Sequence, residues 1–197
     1  GTKASIEQRL LLVAGLVASG NEAMQALGLD ALKELMKTTF FTMPHTSDFG
    51  ARPRDYGLHP RTALDVIAWY RPIIEFANGL ALVPEAISKR TRQIVGDRFS
   101  ELWRVPGLID YLEAAARSLT AQRYWPEGWV AIRGAIRAHA EEMAPDLLGR
   151  LRVLEQELSP KDLVERVLAY TLSTDGSWRD IADAESEGVE PADAVSA

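Results

Sequence analysis

Prolines punctuate this chain at six places where an apolar run at helical spacing follows: Pro60, Pro84, Pro106, Pro126, Pro145 and Pro160. A proline at the first position of a helix gives up only an N–H that has no partner there, and its fixed φ suits the helical backbone. Each of the six is therefore expected to open a helix. Their spacings, 24, 22, 20, 19 and 15 residues, are too irregular for a repeat of fixed period. They fit antiparallel helical hairpins stacked in sequence, each pair burying its apolar stripe against its neighbours. The expected fold is all-α, a solenoid-like or irregular helical array, with a compact orthogonal bundle as the alternative.

Helices are expected over 3–19, 22–38, 61–82, 84–103, 106–121, 126–142, 145–158 and 160–173. Ile6, Leu10, Val13 and Val17 form an amphipathic stripe, which argues against reading Leu10 to Val17 as a signal-peptide core. The segment from Leu64 to Leu82 is apolar on almost every side and so belongs in the middle of the helical array. Thr62 and Asp65 have the spacing of a capping box at its start, whereas Pro72 inside it is expected to kink or break it. Leu108, Leu112, Ala115 and Leu119, and likewise Leu147, Leu151, Leu154 and Leu158, make narrow single stripes for helices with one wet side.

At 197 residues the chain is long enough to bury about 70% of the surface its unfolded form exposes. Residues 1–173 are read as one helical domain and 174–197 as an acidic, disordered tail, in which seven acids face the single Arg179. That tail carries the whole net charge of −6. The chain has no cysteine, which removes thiolate nucleophiles, disulfides and cysteine-held metals, and suggests a reducing, cytoplasmic setting. No apolar stretch approaches the ~20 residues that span a bilayer, so no membrane partner is expected. The first residue is Gly, and the chain is read as a piece of a larger protein.

Chemistry-bearing residues are few. The long connection 39–59 holds Arg52, Arg54, Asp55 and Tyr56 between two glycines, a set able to clamp an anion or a partner's loop, or to pair with helix ends inside an ordered loop. Of the 15 basic residues between 50 and 152, 14 are arginine, which suits planar anions such as phosphate; salt-bridged helix faces explain it equally well. Lys89-Arg90-Thr91-Arg92 and the pair Arg133 and Arg137 are the helical basic clusters, read as DNA-phosphate contacts or as solvated faces with Asp97, Glu101 and Glu141 nearby. Trp125 and Trp129 flank a helix start, where they either stack on a ligand ring or seal the core.

No metal or cofactor is expected. His45 and His59 in or beside the loop and His139 on a helix match no metal spacing, and the Gly-x-Ser-x-Gly elbow, the Walker phosphate loop and the dinucleotide fingerprint are all missing. The chain is accordingly read as a non-enzyme.

Phe49-Gly-Ala-Arg-Pro-Arg-Asp-Tyr-Gly57, His59-Pro60 before a Trp69-Tyr70 helix, and Leu158-Ser-Pro-Lys-Asp-Leu-Val-Glu-Arg-Val167 resemble helical segments of very large bacterial signal-transduction ATPases of the kind associated with phage defence. The resemblance spans most of residues 40–173. It implies a sensor, linker or scaffold region remote from the nucleotide-binding engine, and carries over no catalytic residue. The resulting expectation is a scaffold that contacts a protein partner or a neighbouring domain, with nucleic-acid binding through the arginine-weighted surface as the alternative.

Overall fold

The computed structural model describes residues 4–38, 62–83 and 85–172. All-helical architecture is what it shows: α1 (Ile6–Val17), α2 (Glu22–Leu35), α3 (Ala63–Leu80), α4 (Glu85–Trp103), α5 (Ile109–Gln122), α6 (Pro126–His139), α7 (Pro145–Leu158) and α8 (Leu163–Leu172), with no strand among the described residues. The helices form an irregular array. The first pair, α1 and α2, packs as neighbours in sequence, but α3 then packs on α5, α4 on α6, and α6 on α8, each skipping one helix. The loop 39–59 and the tail 174–197 lie outside the described residues, and with them Arg52, Arg54, Asp55, Tyr56, His45 and His59.

Local chemistry explains where the helices begin. Ser5 caps α1 in a capping box with Gln8, and Asn21 caps α2 by accepting the Met24 N–H. Thr62 and Asp65 cap α3 reciprocally at 3.1 and 3.0 Å, as their spacing predicts. Pro126 and Pro145 stand at the first positions of α6 and α7, whereas Pro60 and Pro84 fall outside the described residues. Pro106 and Pro160 do not open helices. Pro106 and Gly107 instead occupy the centre of a turn closed by Leu108 N–H on the Val105 carbonyl, with Gly107 at φ +85°. Proline followed by a positive-φ glycine is the type II turn pattern, and a Cβ at Gly107 would collide with Ile67. After Pro160 the cap falls to Asp162, whose carboxylate accepts the Glu165 N–H at 2.8 Å, so α8 starts at Leu163.

One apolar cluster runs from Ile6 to Ala169. The stripes Ile6, Leu10, Val13, Val17 and Leu108, Leu112, Ala115, Leu119 are buried throughout. α3 touches α1, α2, α4 and α5, and runs through Pro72 as one helix from Ala63 to Leu80, so of the expected kink or break the break does not occur. Burial of Trp69, Tyr70, Ile73, Ile74 and Ala77 around the missing hydrogen bond holds the helix together against a proline cost of about 3 kcal/mol. α3 nevertheless keeps one exposed stripe, through Leu64, Ala68, Arg71 and Glu75, so it is less enclosed than its sequence suggests.

α4 carries the charged run Lys89-Arg90-Thr91-Arg92, yet it packs against α2, α3, α5 and α6 and buries Ser88, Thr91, Arg92, Ile94, Val95, Phe99, Leu102 and Trp103. Ser88, Thr91 and Arg92 are partnered, as buried polar groups generally are. Ser88 Oγ donates to the Ala81 carbonyl at 2.6 Å and Thr91 Oγ1 to the Ile87 carbonyl at 2.8 Å. Phe99 stacks on Trp103 at 5.5 Å and meets the edge of Trp125 at 6.2 Å.

Candidate functional site

Trp125, Trp129, Arg133 and Arg137 follow one another at four-residue spacing along one ridge of α6, but the structure gives them different surroundings. Trp125 is wholly buried, and its Nε1 donates to the Arg92 carbonyl at 3.1 Å. Its ring folds back over the first turn of α6, where a Cβ at Gly128 would run into it. Trp125 is thus a core residue, the second of the two readings its place at a helix start allows, and no face of the ring reaches solvent. Arg133 lies over the Trp129 ring at 4.8 Å and meets Glu155 of α7 at 3.5 Å. Arg137 is exposed further along the ridge.

Carboxylates meet several of the remaining arginines. Arg71 pairs with Glu75, Arg90 with Asp30, and Arg98 with Glu101. Between α5 and α7 the pairs become a network: Arg117 reaches Glu113 and Glu157, and Arg150 reaches Glu113 and Asp110, at 2.6–3.0 Å. Burial alone would raise the Glu113 pKa, but hydrogen bonds from Arg150 and Arg117 outweigh it and hold the carboxyl below its ordinary range. Within the arginine-weighted middle, Arg90, Arg117, Arg133 and Arg150 join one helix to another through carboxylates.

Arg92 is the residue whose place the sequence hid. It is only 3% exposed, and its guanidinium donates to the carbonyls of Leu119 at 3.0 Å, Arg123 at 2.7 Å and Tyr124 at 3.0 Å. Those carbonyls close the C-terminal end of α5, where helix dipoles leave partial negative charge. A signal was present: Leu102, Phe99 and Val95 continue backwards at helical spacing onto Arg92 and Ser88, putting both on the apolar face.

α8 presents the opposite case. Among the described residues its main contact is with α6, and Ala169 is its one buried residue. Leu163 is 73%, Val164 68% and Val167 53% exposed, and Leu168 is also exposed. By helical geometry Leu163, Val164 and Val167 share the side of α8 turned away from Ala169. On α1, Leu11 and Leu12 form a second, shorter exposed pair.

A cleft of about 380 Å³ opens between α4 and α6, floored by the small residues Gly96, Ala131, Gly134 and Ala135, with His139 and Leu172 at one end. His139 Nδ1 lies 3.6 Å from Glu142. Among the described residues no group of three His, Cys, Asp or Glu is placed to hold a metal. No described helix is long and apolar enough to cross a membrane. Comparisons with protein-family models, with curated proteins and with solved structures find no match to this chain.

Proposed function

We propose that this chain is a non-enzymatic helical scaffold or sensor region that engages a protein partner or a neighbouring domain, and that α8 is its contact element. The observation that carries this reading is the outward apolar stripe Leu163, Val164 and Val167 on a helix whose one buried residue is Ala169. Scattered exposed apolar residues are ordinary, but a contiguous stripe on one helix face is the arrangement that protein partners cover. The resemblance to helical segments of large bacterial signal-transduction ATPases supports the same reading, and the absence of cysteine fits a reducing, cytoplasmic setting. Carboxylate pairing of Arg71, Arg90, Arg98, Arg117 and Arg150 weighs against the nucleic-acid alternative, since paired guanidinium groups have less to offer a phosphate backbone.

Photo-crosslinking from position 167 in a bacterial extract tests it. A discrete protein adduct is expected, lost on the Leu163→Glu/Val164→Glu double change while the melting temperature stays put. Absence of a discrete adduct, or loss of it only with unfolding, removes the reading.

A further inference from the structure

We propose that the cleft between α4 and α6 is the docking groove for this chain's own continuation, residues 173–181, with the Trp178 indole seated over Gly134. The cleft, about 380 Å³, has Gly96, Ala131, Gly134 and Ala135 as its floor and Asp97 and Glu127 among its polar lining. It is separate from the outward stripe of α8 and does not depend on the function assigned to that stripe.

The place where the described chain ends points to the occupant. Leu172 is the last described residue, and it lines the cleft itself. Glu165 in the first turn of α8 and Glu127 in the first turn of α6 both act on Tyr124, so the two helices start together and α8 ends towards His139. Residue 173 therefore begins at the mouth of the groove. From Glu127 to His139 the cleft follows α6 for about 18 Å, at 1.5 Å per residue. Trp178 is six residues beyond Leu172, and six extended residues reach about 20 Å, so the indole can arrive anywhere along the floor. A segment tethered this closely meets its groove at an effective concentration of about millimolar, which a second copy in dilute solution does not match.

The chemistry of the segment suits the groove. Trp178 is the one aromatic residue after Tyr170 and stands with Ile181 in an otherwise acidic stretch. A large ring needs a floor of small residues, and this floor has the room. A Cβ at Gly96 would meet Glu127 at 3.0 Å, which accounts for that glycine by the close approach of α4 and α6, whereas a Cβ at Gly134 would meet nothing within 4 Å. The space above Gly134 is thus open among the described residues, and burying an indole there removes a large apolar surface from water. Arg179, the one cation after Arg166, comes with Trp178 to a cleft whose Asp97 already pairs with Lys33 at 3.0 Å but whose Glu127 has no ion pair among the described residues. A cation beside that carboxylate adds a favourable contact at the rim.

Acrylamide quenching of Trp178 in the full chain, taken as the difference between the parent and Trp178→Phe, tests the docking. The indole is expected to be quenched several-fold more slowly than free N-acetyltryptophanamide, at every protein concentration. Gly134→Leu fills the space above the floor at an exposed helical position, and is expected to return Trp178 to the quenching rate of the free compound while Tm does not fall. An indole as open as the free compound in the parent overturns the proposal. Shielding that Gly134→Leu leaves unchanged also overturns it, because the ring then lies elsewhere. Shielding lost on dilution overturns it in favour of a tail from a second copy.

Discussion

α4 and α8 invert the usual relation between composition and burial. α4 carries Lys89, Arg90, Arg92, Asp97 and Arg98 within ten residues, one of the most polar stretches of the chain, yet it is enclosed by four other helices. α8 is mostly apolar, yet it touches the array through α6 and turns Leu163, Val164 and Val167 to solvent. The difference lies in partnering. Arg92, Thr91 and Ser88 on α4 find carbonyl acceptors at the α5 end, within their own helix and at the α3 end, so their burial carries little net penalty. α8 has apolar side chains with no surface of this chain set against them among the described residues, which is what an interaction face requires and a core helix does not.

The enclosure of α4 depends most on Arg92. Arg92→Ala strips the donor from the carbonyls of Leu119, Arg123 and Tyr124 and opens a cavity, with an expected loss of about 3 kcal/mol. For a chain of this size that is a fall in Tm of roughly 6–12 °C, read by calorimetry. A fall of less than about two degrees, under 1 kcal/mol on the same scale, would make α4 an ordinary wet helix. Gly128→Ala attacks the same node from α6, forcing a methyl against the Trp125 ring. Its expected cost is about 2 kcal/mol, read as a lower urea midpoint at unchanged slope.

Much of the fold is legible in the sequence. The four-residue stripes of α1, α5 and α7 and the capping box at Thr62 and Asp65 are local patterns whose physics acts within one helix. What escapes is what depends on contacts between helices or on competition between adjacent signals. Proline suits a helix start, which is why Pro106 reads as one, but Gly107 after it favours the tighter turn. Arg92 falls on the apolar stripe of α4, but within the run Lys89 to Arg92 it reads as a solvated cation, because nothing in the sequence says that the end of α5 lies against it. The enclosure of α3 is overstated by its composition because an apolar residue such as Leu64 does not by itself name a partner. Of the candidate site residues, Trp125 belongs to the core, Arg133 to a cation–π and carboxylate contact, and Arg137 to an exposed part of α6; no pattern in the sequence separates these three environments along a ridge of constant spacing.

The network joining α5 and α7 responds to pH. Glu113 has its folded pKa held below the ordinary carboxylate range by Arg150 and Arg117. Its stabilising contribution is therefore present above the unfolded pKa and lost as pH falls through the folded one. Unfolding midpoints across the acid range should decline in the parent and decline less steeply in Glu113→Gln; identical profiles would show that the α5–α7 pairs do not contribute. The smallest effect is expected at α8, where Leu163→Glu with Val167→Glu should change stability by no more than about 0.5 kcal/mol. A large loss in equilibrium denaturation would mean that this face is covered within the chain itself.

Hydrogen exchange of the isolated chain tests most directly whether α4 is the enclosed spine and α8 an uncovered contact helix. Amides of Val95 to Leu102 in α4 are expected to exchange only through global unfolding, while those of Val167 to Leu172 in α8 exchange through local opening, several kcal/mol easier. Protection in α8 equal to that in α4 would contradict this division, because it would place the apolar stripe of α8 inside the folded core.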